Sequence, residues 1–145
     1  MKKEELKKTR QFKEFIKRGA DKCLFSNVPY TWLVKYDLSP TDLLAYCTIR
    51  DMSLVGAMNV YSGSIKGLCA RLNVSMPTAR KSLETLQLKG FICREKTFKD
   101  GRMLTCYRAL SLSHNVGESM QDALNQNIAL MEARGLIKNG KIIAK

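Results

Sequence analysis

The sequence predicts a mainly α-helical protein carrying one small β-hairpin, an α+β fold built on a three-helix core. Three observations predict it. Apolar residues recur at spacings of three and four in the runs around Leu43 to Met52, Ile65 to Leu72 and Met76 to Leu86, as helices with one buried stripe require. Helix-start signals precede two of these runs, Ser39 with Pro40 and Ser75 with Pro77. After Gly90 the pattern changes to two strand-like runs, Phe91 to Lys99 and Arg102 to Leu110, which meet at Asp100-Gly101.

Ahead of the first helix, Phe25, Val28, Tyr30, Trp32, Leu33 and Val34 gather around Pro29 and read as a lead-in strand or turn packed on the domain, with Trp32 in the core. The first helix opens at Leu38-Ser39-Pro40-Thr41-Asp42: Ser39 caps it, Pro40 takes the first position, and Asp42 sets negative charge against the helix dipole. Leu43, Leu44, Cys47, Ile49 and Met52 supply its apolar surface. In the second helix Ile65, Leu68, Cys69 and Leu72 face the core, which leaves Lys66 and Arg71 outside. Asn73 and Val74 form a bend of the length found between the helices of a helix-turn-helix.

The third helix starts at Ser75, and Met76, Ala79, Leu83 and Leu86 make its buried stripe. At about 100° per residue, the opposite face carries Pro77, Thr78, Arg80, Lys81, Glu84 and Thr85. Gly90 ends the helix in the left-handed conformation that glycine adopts without cost. A type I′ turn at Asp100-Gly101 sets Lys99 opposite Arg102, Phe98 opposite Met103, Arg94 opposite Tyr107 and Ile92 opposite Ala109.

Helix, tight turn, helix and hairpin in this order make a winged helix-turn-helix. The first two turns of the third helix would reach base edges in a major groove, so Thr78, Arg80 and Lys81 are the expected readers, with Ser75, Pro77 and Thr85 beside them. Glu84 lies four residues after Arg80, where it can pair with it. Lys66 and Arg71 would touch phosphates, which fixes register without reading sequence. Lys96, Lys99 and Arg102 make the hairpin tip basic. Such a tip either lies along phosphates or in a minor groove, or is a solvated edge guarded by lysines.

Net charge agrees with a polyanionic partner. Lys and Arg total 25 against 13 acidic residues, +12 over 145 residues, which favours nucleic acid first and an anionic membrane surface second. The expected partner is double-stranded DNA. No stretch approaches the roughly 18 apolar residues of a membrane span, and the N-terminal charge lacks the apolar core of a signal peptide, so the expected location is the cytoplasm. The five cysteines, Cys23, Cys47, Cys69, Cys93 and Cys106, are spread singly, and His114 is the one histidine. That spacing suits neither a metal site nor a disulfide framework; Cys93 and Cys106, diagonal on one face of the hairpin, read as small buried hydrophobes. With no phosphate-cradling glycine loop and no compact acidic cluster, no enzyme and no cofactor are expected, and Tyr61 reads as structural rather than as a nucleophile.

The chain divides into a basic helix or arm over 1–22, the winged domain over 23–112 and a C-terminal helix with a short hairpin over 113–145. Residues 1–22 hold nine Lys or Arg and four acidic residues. The C-terminal helix, Glu118 to Arg134, carries Ala123, Leu124, Ile128, Leu130 and Met131, and either folds back on the core or pairs with a second subunit as a homodimer. Its ending, Met131-x-x-x-Gly135-Leu136-Ile137, echoes Leu86-x-x-x-Gly90-Phe91-Ile92, and the same register matches Leu124 to Ala79 and Ile128 to Leu83. Duplication of half a winged helix and chance likeness of two helix ends both account for the echo.

Val28-Pro29-Tyr30-Thr31-Trp32-Leu33, the Leu38-Ser39 helix start, the Leu-x-x-x-Leu-x-Val-Ser of residues 68–75 and the Leu86-x-x-x-Gly90-Phe91-Ile92 ending together resemble the helix-turn-helix domain of plasmid replication initiators and phage replisome organisers from Gram-positive bacteria. Related winged helices occur in small regulators of conjugative elements. The resemblance covers about residues 25–110. It implies sequence-specific binding of double-stranded DNA in the control of transcription, transfer or replication, with replication or transfer machinery as a further partner. An adaptor that docks such machinery and a nonspecific DNA coat are the alternatives.

Overall fold

Residues 28–55 and 64–143 are described by the computed structural model. The segment 1–22, Cys23, Phe25 and Tyr61 lie outside the described residues. The elements follow in the order α1 (Trp32–Lys35), α2 (Pro40–Val55), α3 (Ile65–Leu72), α4 (Met76–Leu88), β1 (Ile92–Lys99), β2 (Arg102–Ala109), α5 (Met120–Ala133), β3 (Ile137–Lys138) and β4 (Lys141–Ile142). The described residues form an α+β fold with two separate two-stranded antiparallel hairpins.

Local signals start the longer helices. The Ser39 hydroxyl accepts the Asp42 N–H at 3.0 Å while the Asp42 carboxylate accepts the Ser39 N–H at 2.9 Å, a reciprocal cap at the head of α2. Ser64, Ser75 and Ser119 cap α3, α4 and α5 with one-way bonds, taking the N–H groups of Gly67, Thr78 and Asp122. Asn73, left-handed at φ 54°, closes α3 and turns the chain into α4. In the first hairpin Asp100 and Gly101 both have positive φ, 52° and 76°, as a type I′ turn demands. The register runs from Ile92 opposite Ala109 to Lys99 opposite Arg102, as the turn chemistry predicts.

The core gathers Leu38, Ala45, Tyr46 and Ile49 around Leu68, Leu83, Leu86, Phe91 and Ile92. At its centre the rings of Trp32, Tyr36, Tyr46 and Phe91 pack with centroids 5.4–6.2 Å apart. One sequence expectation is narrowed here and one is corrected. Of the strand and turn open to the lead-in stretch, the chain takes the turn: backbone bonds from Trp32 to Pro29 and from Leu33 to Tyr30 wind it into a helical turn, so Trp32 packs inward while Tyr30 and Val34 stand 78% and 89% exposed. In α2 the buried stripe is Asp42, Ala45, Tyr46 and Ile49, spaced by three and four; Leu44 lies off that stripe and is exposed.

The C-terminal helix folds back on its own chain. Strand alternation sends Ile92 and Tyr107 into the main core and Cys93 to the outer face, where Met131, Ile137, Leu88, Leu110 and Leu136 cover it. Leu124 of α5 reaches the main core, whereas Leu130, expected on the apolar face, is exposed. Asn127, buried in α5, fastens the joint: its amide donates to the Gly90 and Ser111 carbonyls, both at 2.9 Å, and its oxygen accepts from His114 Nε2 at 2.8 Å.

The echo in the sequence is an echo in the backbone. Gly90 and Gly135 are both left-handed, at φ 85° and 74°. Phe91 N–H bonds the Leu86 carbonyl and Leu136 N–H bonds that of Met131, each at 2.9 Å. Asn139-Gly140, at φ 53° and 73°, repeats the Asp100-Gly101 turn. Leu110 N–H then closes onto Phe91 as Ile143 N–H closes onto Leu136.

Candidate nucleic-acid interface

The exposed start of α4 follows from its cap. The Ser75 hydroxyl accepts the Thr78 N–H at 3.4 Å and shares a 2.9 Å hydrogen bond with the Thr78 hydroxyl, so the two side chains fix the first turn and each other. Pro77, Thr78, Arg80, Lys81 and Glu84 are exposed, and Thr85 is half-buried at the margin of that face. Arg80 and Glu84 are both solvent-facing and make no ion pair, so the guanidinium is not tied to this carboxylate. Behind them Ala79, Ser82, Leu83, Leu86 and Gln87 are buried. Ser82 and Gln87 give no apolar signal in the sequence; Gln87 satisfies its amide within the helix, donating to the Leu83 carbonyl at 3.1 Å.

On α3, Lys66 is exposed as expected. Arg71 is not outside: it is half-buried, with Nη1 3.7 Å from the Met52 sulfur, because its long stem lies back across α2. Lys89 has a part that sequence reading missed. Its ammonium donates to the Tyr36 and Asp37 carbonyls at 2.8 and 2.7 Å, which fixes the end of α4 against the end of α1. A lysine just past the last helical turn is the available signal, but its partners lie more than 50 residues away.

Arg80 and Arg94 both act on the electrostatics of Tyr107 in β2. Burial pushes the Tyr107 phenol above its ordinary range, and Arg94 and Arg80 both lie close enough to pull it back. Arg94, Lys96 and Phe98 follow Ile92 at alternate positions on one hairpin face, opposite Tyr107, Thr105 and Met103. Lys96 and Arg102 are exposed, and Lys99 occupies the register position opposite Arg102 beside the turn.

The other hairpin face is a clamp. Arg108 grips Glu95 through two bonds of 3.0 and 3.2 Å, and Arg134 from the end of α5 lies 3.9 Å from the same carboxylate. The Arg108 bonds hold the Glu95 carboxyl below the usual range, against the opposing effect of burial. Burial, then the neighbouring Glu95, pushes the Cys93 thiol up to about 11. Cys93 donates to the Glu95 carboxylate at 3.6 Å and Cys106 to the Glu95 carbonyl at 3.4 Å.

Among the described residues, no group of three or more His, Cys, Asp and Glu side chains converges to hold a metal ion, and no helix is long and apolar enough to cross a membrane. No protein-family model matches the sequence, and no curated protein matches it.

Proposed function

We propose that the chain is a winged helix-turn-helix protein that binds a particular double-stranded DNA site in the cytoplasm, in the control of transcription, transfer or replication of a plasmid, phage or conjugative element. The observation that carries this reading is the exposed basic face at the start of α4, Thr78, Arg80 and Lys81 behind the Ser75 cap, followed in the chain by a hairpin with Lys96 and Arg102 exposed. In the proposed complex α4 lies in the major groove. Arg80 and Lys81 contact base edges there, guanine being the base whose two acceptors fit a guanidinium best. Thr78 is held by its bond to Ser75 and adds a hydroxyl, while Pro77 and Thr85 line the margin. Lys66 meets a phosphate on one side, and Lys96, Lys99 and Arg102 follow the backbone on the other. One chain per site is the proposed arrangement, since the apolar face of α5 is covered by its own hairpin.

Selection of bound duplexes from a random pool at about 150 mM salt, where phosphate attraction is already screened, tests the proposal. An enriched motif is expected. Arg80→Ala and Lys81→Ala then each weaken binding to it by about 1–3 kcal/mol, the worth of one good base pairing, and relax preference at one position. A bound but unenriched pool would replace this reading with a nonspecific DNA coat. No binding at all would favour an adaptor for replication or transfer machinery, for which the exposed Tyr30 and Val34 are the specific observation.

A further inference from the structure

We propose that the tip of the β1–β2 hairpin is a wedge, with Phe98 and Met103 entering a base step of duplex DNA from the minor groove and bending it. This rests on the reading of α4 as a DNA-contacting helix and adds an action to it. Phe98 and Met103 are paired across the strands one position from the turn, and are 70% and 61% exposed. A solvated edge strand has no use for an aromatic and a methionine at its most exposed pair, where polar side chains would keep it soluble. The stretch from Lys96 to Met103 sets Lys96, Lys99 and Arg102 against Asp100, so the apolar pair stands in a segment of net positive charge. That combination is complementary to a groove with phosphate walls and an apolar interior of stacked bases.

Direction follows from alternation. Phe98 and Met103 share the hairpin face of Ile92 and Tyr107, which packs into the same core as Leu83 and Leu86 of α4. With α4 in a major groove, this face turns the tip toward the adjoining minor groove. The base of the hairpin is braced from behind by the Glu95–Arg108–Arg134 contacts and by α5, so the tip has a support to push against. Phenylalanine and methionine are among the side chains that can part a base step, and a single wedge of this kind kinks a duplex by about 20–90°.

The test uses the full chain and a pool of random-sequence duplexes of about 30 base pairs, dye-labelled at both ends, at about 50 mM salt, where phosphate attraction suffices for binding. The wild-type chain should shorten the end-to-end distance. Phe98→Ala with Met103→Ala should bind the same pool and leave it straight. Both side chains are exposed, so this double variant keeps the melting temperature of the parent. Lys96→Ala should bind more weakly yet bend fully. A wild-type complex that stays straight, or a double variant that bends as well as the parent, overturns the wedge and leaves the proposed DNA binding intact. A wild-type chain that binds no duplex overturns both. Vesicles of phosphatidylserine and phosphatidylcholine serve as the rival probe: loss of vesicle binding in the double variant, with DNA bending unchanged, would make the tip a lipid contact and overturn the wedge.

Discussion

Gly90 sits where α4, the first hairpin and α5 meet, and its requirement is twofold. Its φ of +85° disfavours any side chain, and a Cβ there would stand 2.5 Å from the Leu124 carbonyl oxygen. Gly135 repeats the conformation, but nothing lies within 4 Å of its missing Cβ. Gly90→Ala should therefore cost about 2–5 kcal/mol and Gly135→Ala about 1–2 kcal/mol, a difference that paired urea titrations would resolve. Tyr46 makes a second residue-scale prediction. Burial pushes its phenol up to about 12 although Arg50 pulls the other way, so the folded chain keeps a proton that the unfolded chain has lost. The stabilisation is complete below pH 10 and fades as pH rises from there toward 12. Thermal melts across that window should show a falling melting temperature, and Tyr46→Phe should flatten the decline; Tyr107 and Cys93, shifted in the same direction, add to it. Tyr46, Ser82 and Asn127 were not legible as buried residues, because what buries them is distant in sequence: the Asn127 amide reaches the Gly90 carbonyl 37 residues away.

At the scale of elements, what was legible is what local chemistry decides. The Ser39 and Ser75 starts and the Asp100-Gly101 turn depend on residues within three or four positions, and the hairpin register follows from that turn. The exposure of Pro77, Thr78, Arg80 and Lys81 likewise follows from helical period. By contrast the strand-or-turn choice at α1 is left open by the local pattern and is decided by the packing of Trp32 on Tyr46 and Phe91. The two hairpin faces differ in the same way, since alternation separates them but cannot say what covers each. Cys93 shows the consequence. A thiol held near 11 and covered by Met131 and Ile137 is protonated and shielded at neutral pH. In the native chain Cys93 should resist alkylation by iodoacetamide at about pH 8, and lose that protection in denaturant, as peptide mass spectrometry would show.

For the whole molecule, the charge of +12 is the property that the proposed function uses most directly. Removing one phosphate-binding side chain should lower the steepness of the salt dependence by about one, so Lys66→Ala and Lys96→Ala should weaken all duplexes alike and flatten the plot of log K against log salt concentration. Arg80→Ala should instead change which duplexes are preferred. The two classes of variant, measured in one fluorescence-anisotropy titration series, separate positioning from reading. The echo between the ends of α4 and α5 also belongs to this scale. It was visible as a spacing in the sequence, and the backbone repeats it bond for bond, while the exposed faces differ: Arg80 and Lys81 on α4, against Asn125 and Gln126 on α5.

The fastening of α5 by Asn127 decides where this chain can be cut. A fragment ending at Leu112 would retain α4 and the first hairpin on paper, yet it would strip the cover from Cys93, Leu88 and Leu110 and leave the Gly90 and Ser111 carbonyls without their donor. Its hairpin would have one wet apolar face, the condition under which sheet edges stick to one another. The smallest well-behaved fragment therefore extends past Ile137, and dissection of this molecule has to follow its hydrogen bonds rather than its motif.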